Sequence, residues 1–167
     1  MIRWLIKYAA MFIVLVLIQV LILNQVQFSG FVNPYIYILF VMLLPVSTPR
    51  YGVLIAGFFI GFAIDIFSNS LGLHTAASIF VAYLRSFVLT AISGREDEMS
   101  DYPGLKQNKF SWFLYYTAIM VFLHHSVLFF LEIYTISHFL TTLYRIGLSS
   151  LFSIFIIVLS QFLMFRE

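Results

Sequence analysis

Apolar residues run through this chain in long blocks, and polar positions are confined to narrow gaps between them. A helix that crosses a lipid bilayer needs about 20 mostly apolar residues, because hydrocarbon offers no partner to unpaired backbone N–H and C=O groups. Six blocks meet that description. The first covers 4–23 and is interrupted by Lys7 near its start and by Gln19. The second, 31–46, is short, with Pro34 at its entry and Pro45 at its exit. The third, 51–67, stays uncharged until Asp65, and the fourth, 71–93, contains Arg85. The fifth, 111–134, carries His124, His125 and Glu132, and the sixth, 138–165, carries Arg145. The pattern predicts an all-α integral membrane protein: one six-helix transmembrane bundle over residues 1–167, with nothing left over for a soluble domain.

Composition agrees with that expectation. Of 167 residues, 62% are apolar and 10% charged, and the mean hydropathy is +1.02. A soluble domain has about 25% charged residues. Nine Lys/Arg and seven Asp/Glu are too few to hydrate a surface of this size, so lipid must cover most of it. A net charge of +2 without a basic cluster argues against nucleic acid as a partner. Cys is absent, which removes disulfides, thiol nucleophiles and Cys-based metal sites.

The first block resembles a signal peptide only at its start. Arg3 and Lys7 precede an apolar run, but that run continues into Asn24 and Gln25 with no small-x-small cleavage site, so it is expected to stay as a helix. With the N-terminus inside, Arg3, Lys7, Arg50, Arg95, Lys106, Lys109 and Arg166 all fall on the cytoplasmic side. The outer connections near 24–30, 68–70 and 135–137 then hold no Lys or Arg. That split follows the positive-inside tendency and places both termini in the cytoplasm. Trp4, Tyr8, Tyr51 and Trp112 flank the same ends, where amphipathic rings prefer to lie. The longest loop mixes Arg95, Glu96, Asp97, Glu98, Asp101, Lys106 and Lys109, and reads as a solvated tether.

Charges inside lipid are costly, so each needs a partner or a purpose. Gly57, Gly61 and Asp65 lie four apart on one face of the third block, and the glycines allow another backbone to come close. Thr75, Ser78, Ala82 and Arg85 form a small, polar stripe on the fourth, which can meet the first stripe. Asp65 and Arg85 differ in depth, at roughly 20 Å and roughly 12 Å from the inner ends of their helices. A direct ion pair between them requires a tilt or a bridging water and stays open. Glu132 and Arg145 face each other across a short hairpin and read as an interhelical pair. Thr141, Arg145, Ser149 and Ser153 extend a stripe down the sixth block, expected to be a packed face. His125 and Glu132 share a helix face, but a metal needs three or four converging ligands, and Asp65, His74 and His138 are scattered over other helices. Interhelical hydrogen bonding is the default for His124 and His125.

No hydrolase elbow, zinc-protease motif or phosphate-cradling loop occurs, so no catalytic residues, cofactor or metal are expected. The stretch from Asn33 to Arg85 resembles the rod shape-determining protein MreD family. The resemblance is carried by Pro34 opening an aromatic–aliphatic segment, and by GFFIGFAIDIFSNSLGLHTAA, with Gly57, Gly61, Asp65, Ser68 and Gly72 at the family's spacing. Asn69 stands where a glycine is common, and Asn tolerates a left-handed backbone better than most residues. The close resemblance covers about a third of the chain, the remainder agreeing in architecture.

The resemblance implies a non-enzymatic component of the bacterial cell-elongation machinery in the cytoplasmic (inner) membrane. Its fold would resemble the substrate-binding component of energy-coupling-factor transporters. Its partners would be an MreC-like bitopic membrane protein, a peptidoglycan polymerase and transpeptidase pair and, indirectly, the MreB filament. Pro34, Gly57, Gly61, Asp65, Ser68 and Gly72 are the matched candidates for packing or partner binding, joined by the intramembrane charges Arg85, Glu132 and Arg145. The alternative is a small-molecule-binding component, with Asp65, His74, Glu132, His138 and Arg145 around a pocket in the outer half. Against it, Ala9 and Ala10 stand alone before Met11 and Phe12, so the first helix lacks the alanine ladder by which such components engage a transporter. A membrane enzyme comes third, for want of a nucleophile and base.

Overall fold

The computed structural model describes residues 2–26, 32–93, 100–133 and 139–164. Arg95, Glu96, Asp97, Glu98, Tyr134, His138, Arg166 and the connection 135–137 lie outside the described residues, as do the side chain of Arg3 and residues 27–31 of the first connection.

The described chain is helical. Five helices are long and apolar enough to cross a membrane. They are α1 (Ile2–Leu21), α3 (Arg50–Ser68), α4 (Leu73–Ile92), α5 (Phe110–Glu132) and α6 (Phe139–Met164). A 3₁₀ turn at Leu23–Gln25 follows α1. Each long helix packs on its neighbour in sequence from α3 to α6, and α1 packs against α3. Their outward faces carry residues such as Ile13, Leu17, Phe58, Phe62, Phe122 and Phe155, exposed as lipid-facing side chains are. Burying apolar groups contributes little when lipid is as apolar as leucine, so the interior must be specified by close packing and hydrogen bonds.

The expected second spanning helix is not one. In block 31–46 the described residues form a single helix of four residues, α2 (Leu39–Met42). The prolines explain why. Pro34 lacks an N–H and biases the residue before it toward an extended backbone, and Pro45 does the same at the exit. Sixteen helical residues would reach about 24 Å, short of a hydrocarbon core of about 30 Å. An extended chain rises about 3.3 Å per residue and covers more ground. The segment therefore runs as a strap, without regular structure at 33–36 and tightening into α2.

Two sets of contacts place the ends of this strap. Gln19, Asn24, Pro34, Ser68 and Ser149 gather around its start. At its finish Val46 donates to the Asp101 carbonyl at 2.9 Å. Around that finish, Lys7, Tyr8, Leu43, Tyr102, Gly104 and Gln161 surround one recess, and Trp4 stacks on Tyr102. The strap thus traverses the bundle from one end to the other through its middle. Tyr37 and Met42 are fully buried, and every residue from Tyr35 to Met42 is buried. Non-helical backbone at membrane depth is tolerated only where protein covers it, and here five helices do.

The turn between α3 and α4 is built by two left-handed residues. Asn69 has φ 52° and Gly72 φ 85°, and the asparagine holds the left-handed backbone that its short polar side chain tolerates.

Candidate functional site

Polar side chains that interrupt the apolar helices converge on the strap, because its unpaired backbone groups need partners. Gln19 of α1, fully buried, accepts from the Ile36 N–H at 2.9 Å and donates to the Pro34 carbonyl at 3.1 Å. Its amide nitrogen also reaches Asn24 Oδ1 at 2.9 Å, and Asn24 donates onward to Ser68 Oγ at 3.0 Å. From α6, Ser149 accepts the Asn33 N–H at 3.1 Å and Ser153 accepts the Tyr35 N–H at 2.8 Å. At the far end Tyr116 donates to the Met42 carbonyl at 3.1 Å, and Arg85 donates through Nη2 to the Leu44 carbonyl.

The histidines belong to the same network. His125 Nδ1 lies 2.9 Å from the Val121 carbonyl, which fixes the proton there. In an uncharged ring Nε2 is then an acceptor, and Ser153 donates its hydroxyl to it at 3.0 Å. Tyr37 Oη sits between His124 Nε2 at 2.6 Å and His74 Nδ1 at 2.9 Å. A phenol has one proton to give, so one of these rings must donate. Among the described residues His124 Nδ1 has no partner. An orphaned lone pair costs less than an orphaned N–H, so the proton count favours His124 donating from Nε2 and Tyr37 donating to His74. Tyr35 packs against His74, His124, His125 and Phe129 with ring centroids 5.2–6.3 Å apart. Among the described residues no three His, Asp or Glu converge as a metal would require.

The glycine face of α3 meets the small stripe of α4. A Cβ on Gly61 would lie 2.6 Å from the His74 carbonyl oxygen and 2.6 Å from Thr75 Cα. One on Gly57 would lie 2.9 Å from Ala82 Cβ and 3.0 Å from the Ser78 carbonyl oxygen. Asp65 continues this face as a cap for α4, whose own N-cap, Gly72, has no side chain to offer. Its Oδ1 accepts from Ser70 Oγ at 2.6 Å and the His74 N–H at 3.1 Å. Its Oδ2 accepts from the Thr75 N–H at 2.8 Å and the Thr75 hydroxyl at 2.5 Å.

Asp65 and Arg85 are not an ion pair: one caps the start of α4 and the other holds the finish of the strap. Glu132 and Arg145 do pair, at 3.1 Å, with side chains 44% and 20% exposed. Arg145 also lies 4.4 Å from the centre of the Phe129 ring. His125 and Glu132, on one face of α5, serve different partners. On the α6 stripe Ser149 and Ser153 are buried, whereas Thr141 is exposed.

A cavity of about 400 Å³ opens at the Pro34 end, lined among others by Asn24, Asn33, Ser68, Ser70, His74 and Glu132. Of the five residues expected around an outer pocket, His74 and Glu132 line it. Asp65 commits its oxygens to the cap, and Arg145 is not among the lining residues.

Sequence reasoning missed Gln19 as more than an interruption, and missed Tyr35 and Tyr37 altogether. Their spacing of two after a proline is the signature of an extended chain. Comparison with protein-family models, with curated sequences and with solved structures finds no match for this chain.

Proposed function

We propose that this multi-pass membrane protein is a non-enzymatic scaffold of the bacterial cytoplasmic membrane, supporting cell shape and peptidoglycan synthesis within the elongation complex by binding an MreC-like partner. The observation that carries the reading is the α3–turn–α4 unit. Each residue through which that stretch resembles MreD has a definable structural role. Gly57 and Gly61 permit close approach, Asp65 caps a helix, Ser68 accepts a hydrogen bond beside the strap, and Gly72 makes a left-handed turn. A motif committed to internal architecture fits a scaffold better than an enzyme. Both termini would be cytoplasmic, since Lys7, Arg50, Lys106 and Lys109 belong to the end of the bundle where the strap finishes.

Because the Gly57/Gly61 face is filled by α4, a partner helix would dock on an outward face instead. Photo-crosslinking residues placed singly at Leu17, Phe62, Phe122 and Phe155, in cells carrying an MreC-like protein, test this. Crosslinks concentrated at one of these positions support the reading. Their absence at all four, with the protein properly inserted, removes direct docking of that partner on these faces.

The cavity at the Pro34 end favours a second reading, a small-molecule-binding component. Its volume of about 400 Å³ falls in the range of ligand pockets, and its walls are rich in polar groups. A thermal-shift screen against vitamins and wall precursors tests it, and no stabilisation by any compound counts against a transport role.

A further inference from the structure

Among the described residues, Arg85 is a buried charge without a counter-charge. It is 3% exposed, lies within an apolar helix, and directs Nη2 to the Leu44 carbonyl. Its Nε is buried with no hydrogen-bond partner among the described residues. A buried ion calls for an opposite charge. Asp65 is committed to four donors at the other end of α3, and Glu132 is paired with Arg145. Among the described residues no carboxylate stands in ion-pair contact with Arg85.

Arg85 also lines a cleft of about 280 Å³ between the first turns of α3 and the last turns of α4. Thr48, Arg50 and Ser86 line it as well, and the Ser86 hydroxyl is likewise buried and unpaired. Arg50 lies 5.6 Å from the Phe87 ring centre, so a second cation sits at the rim. No side chain caps the first turn of α3, which adds the positive end of a helix dipole. Two cations, a free hydroxyl and a helix N-terminus around one cleft form a receptor for an anion with several acceptor oxygens.

We propose that this cleft binds the phosphate of an anionic phospholipid, which supplies the counter-charge that Arg85 lacks. Two features favour a lipid over a water-soluble phosphate. Leu54, Tyr83 and Phe87 give the cleft an apolar wall, and Tyr83 and Phe87 turn outward, where an acyl chain would run along them. Arg85 lies seven residues before the end of α4, about 10 Å in from that end, so a headgroup entering from the rim reaches it without leaving its chains. The basic end of the bundle, with Lys7, Lys106 and Lys109, would raise the local concentration of anionic lipid. The lipid site stands whichever function the outer cavity serves.

The test uses the full chain in nanodiscs of phosphatidylcholine, with and without phosphatidylglycerol, reading Tm and the lipid retained in native mass spectrometry. Phosphatidylglycerol is expected to raise Tm by several degrees and to stay bound in about equimolar amount. Arg85→Met also loses the Leu44 hydrogen bond, so the deciding variant is Arg50→Gln combined with Ser86→Ala, which leaves the strap untouched. That variant should match the parent in pure phosphatidylcholine and lose most of the phosphatidylglycerol increment, whereas Lys106→Gln should keep it. An increment unchanged in the double variant overturns the site. An equal increment from inorganic phosphate in pure phosphatidylcholine overturns the lipid assignment.

Discussion

Thr75 donates both its backbone N–H, at 2.8 Å, and its hydroxyl, at 2.5 Å, to a single oxygen of Asp65. The carboxylate thereby ties the last turn of α3 to the first turn of α4, across a turn that needs two left-handed residues. A glycine at the N-cap can allow the chain to turn but cannot bond the orphan N–H groups of the helix it opens, and Asp65 satisfies them from the preceding helix.

Asp65→Asn should be destabilising despite its identical shape. Four donors converge on two carboxylate oxygens, and the asparagine replaces one of those oxygens by an NH₂ group that faces donors. A loss of about 2–3 kcal/mol is expected from the charge-assisted bonds that disappear. Unfolding in a mild detergent checks it. A variant as stable as the parent would mean that the cap contributes nothing.

The two glycines Gly61 and Gly147 should respond in opposite ways to alanine. At Gly61 the new methyl meets backbone atoms of α4 at 2.6 Å, which cannot give way unless the helices part. A cost of about 1–3 kcal/mol or more follows from overpacking. At Gly147 nothing lies within 4 Å, and the gain in helix propensity should be at most about 1 kcal/mol. Thermal melts of the two single variants, run side by side, give the comparison.

Gln19→Leu preserves the apolar character of α1 yet should damage the fold. It leaves the Ile36 N–H and the Pro34 carbonyl without partners in a dry interior. Each unmet buried group costs about 1–3 kcal/mol. Hydrogen exchange is the sharper readout: the Ile36 amide should exchange much faster, whereas amides in the middle of α5 should hardly change. Uniform acceleration would point to global loss of stability instead.

Glu132 and Arg145 should prove unequal partners. Their ion pair is part-exposed, and such pairs contribute about 0–1 kcal/mol. Glu132→Gln should therefore shift stability by less than about 1 kcal/mol. Arg145→Ala should cost more, since it also removes the contact with the Phe129 ring. Equal losses in both variants would leave no role for the ring.

Much of this architecture was legible in the order of residues. Five of the six apolar blocks correspond to five long helices, because spacing and hydropathy report directly on what lipid demands of a backbone. The glycine pair and the left-handed Asn69 were readable for the same local reason. The strap was not. Its residues are as apolar as those of a spanning helix, and hydropathy does not distinguish a helix bathed in lipid from an irregular chain sheathed in protein. Only Pro34, Pro45 and the alternation of Tyr35 and Tyr37 hinted at it.

That distinction separates what each level determined. The sequence alone specified a multi-pass helical membrane protein and the few polar residues worth following, since burial in lipid leaves so little choice. Partners were decided by tertiary structure. Asp65 turned to Thr75 rather than to Arg85, and Gln19, Ser149 and Ser153 turned to the backbone of the strap. The physical reason is that a polar group in a dry interior takes whichever partner packing brings within about 3 Å, and no rule of spacing along one helix says what the next element will present.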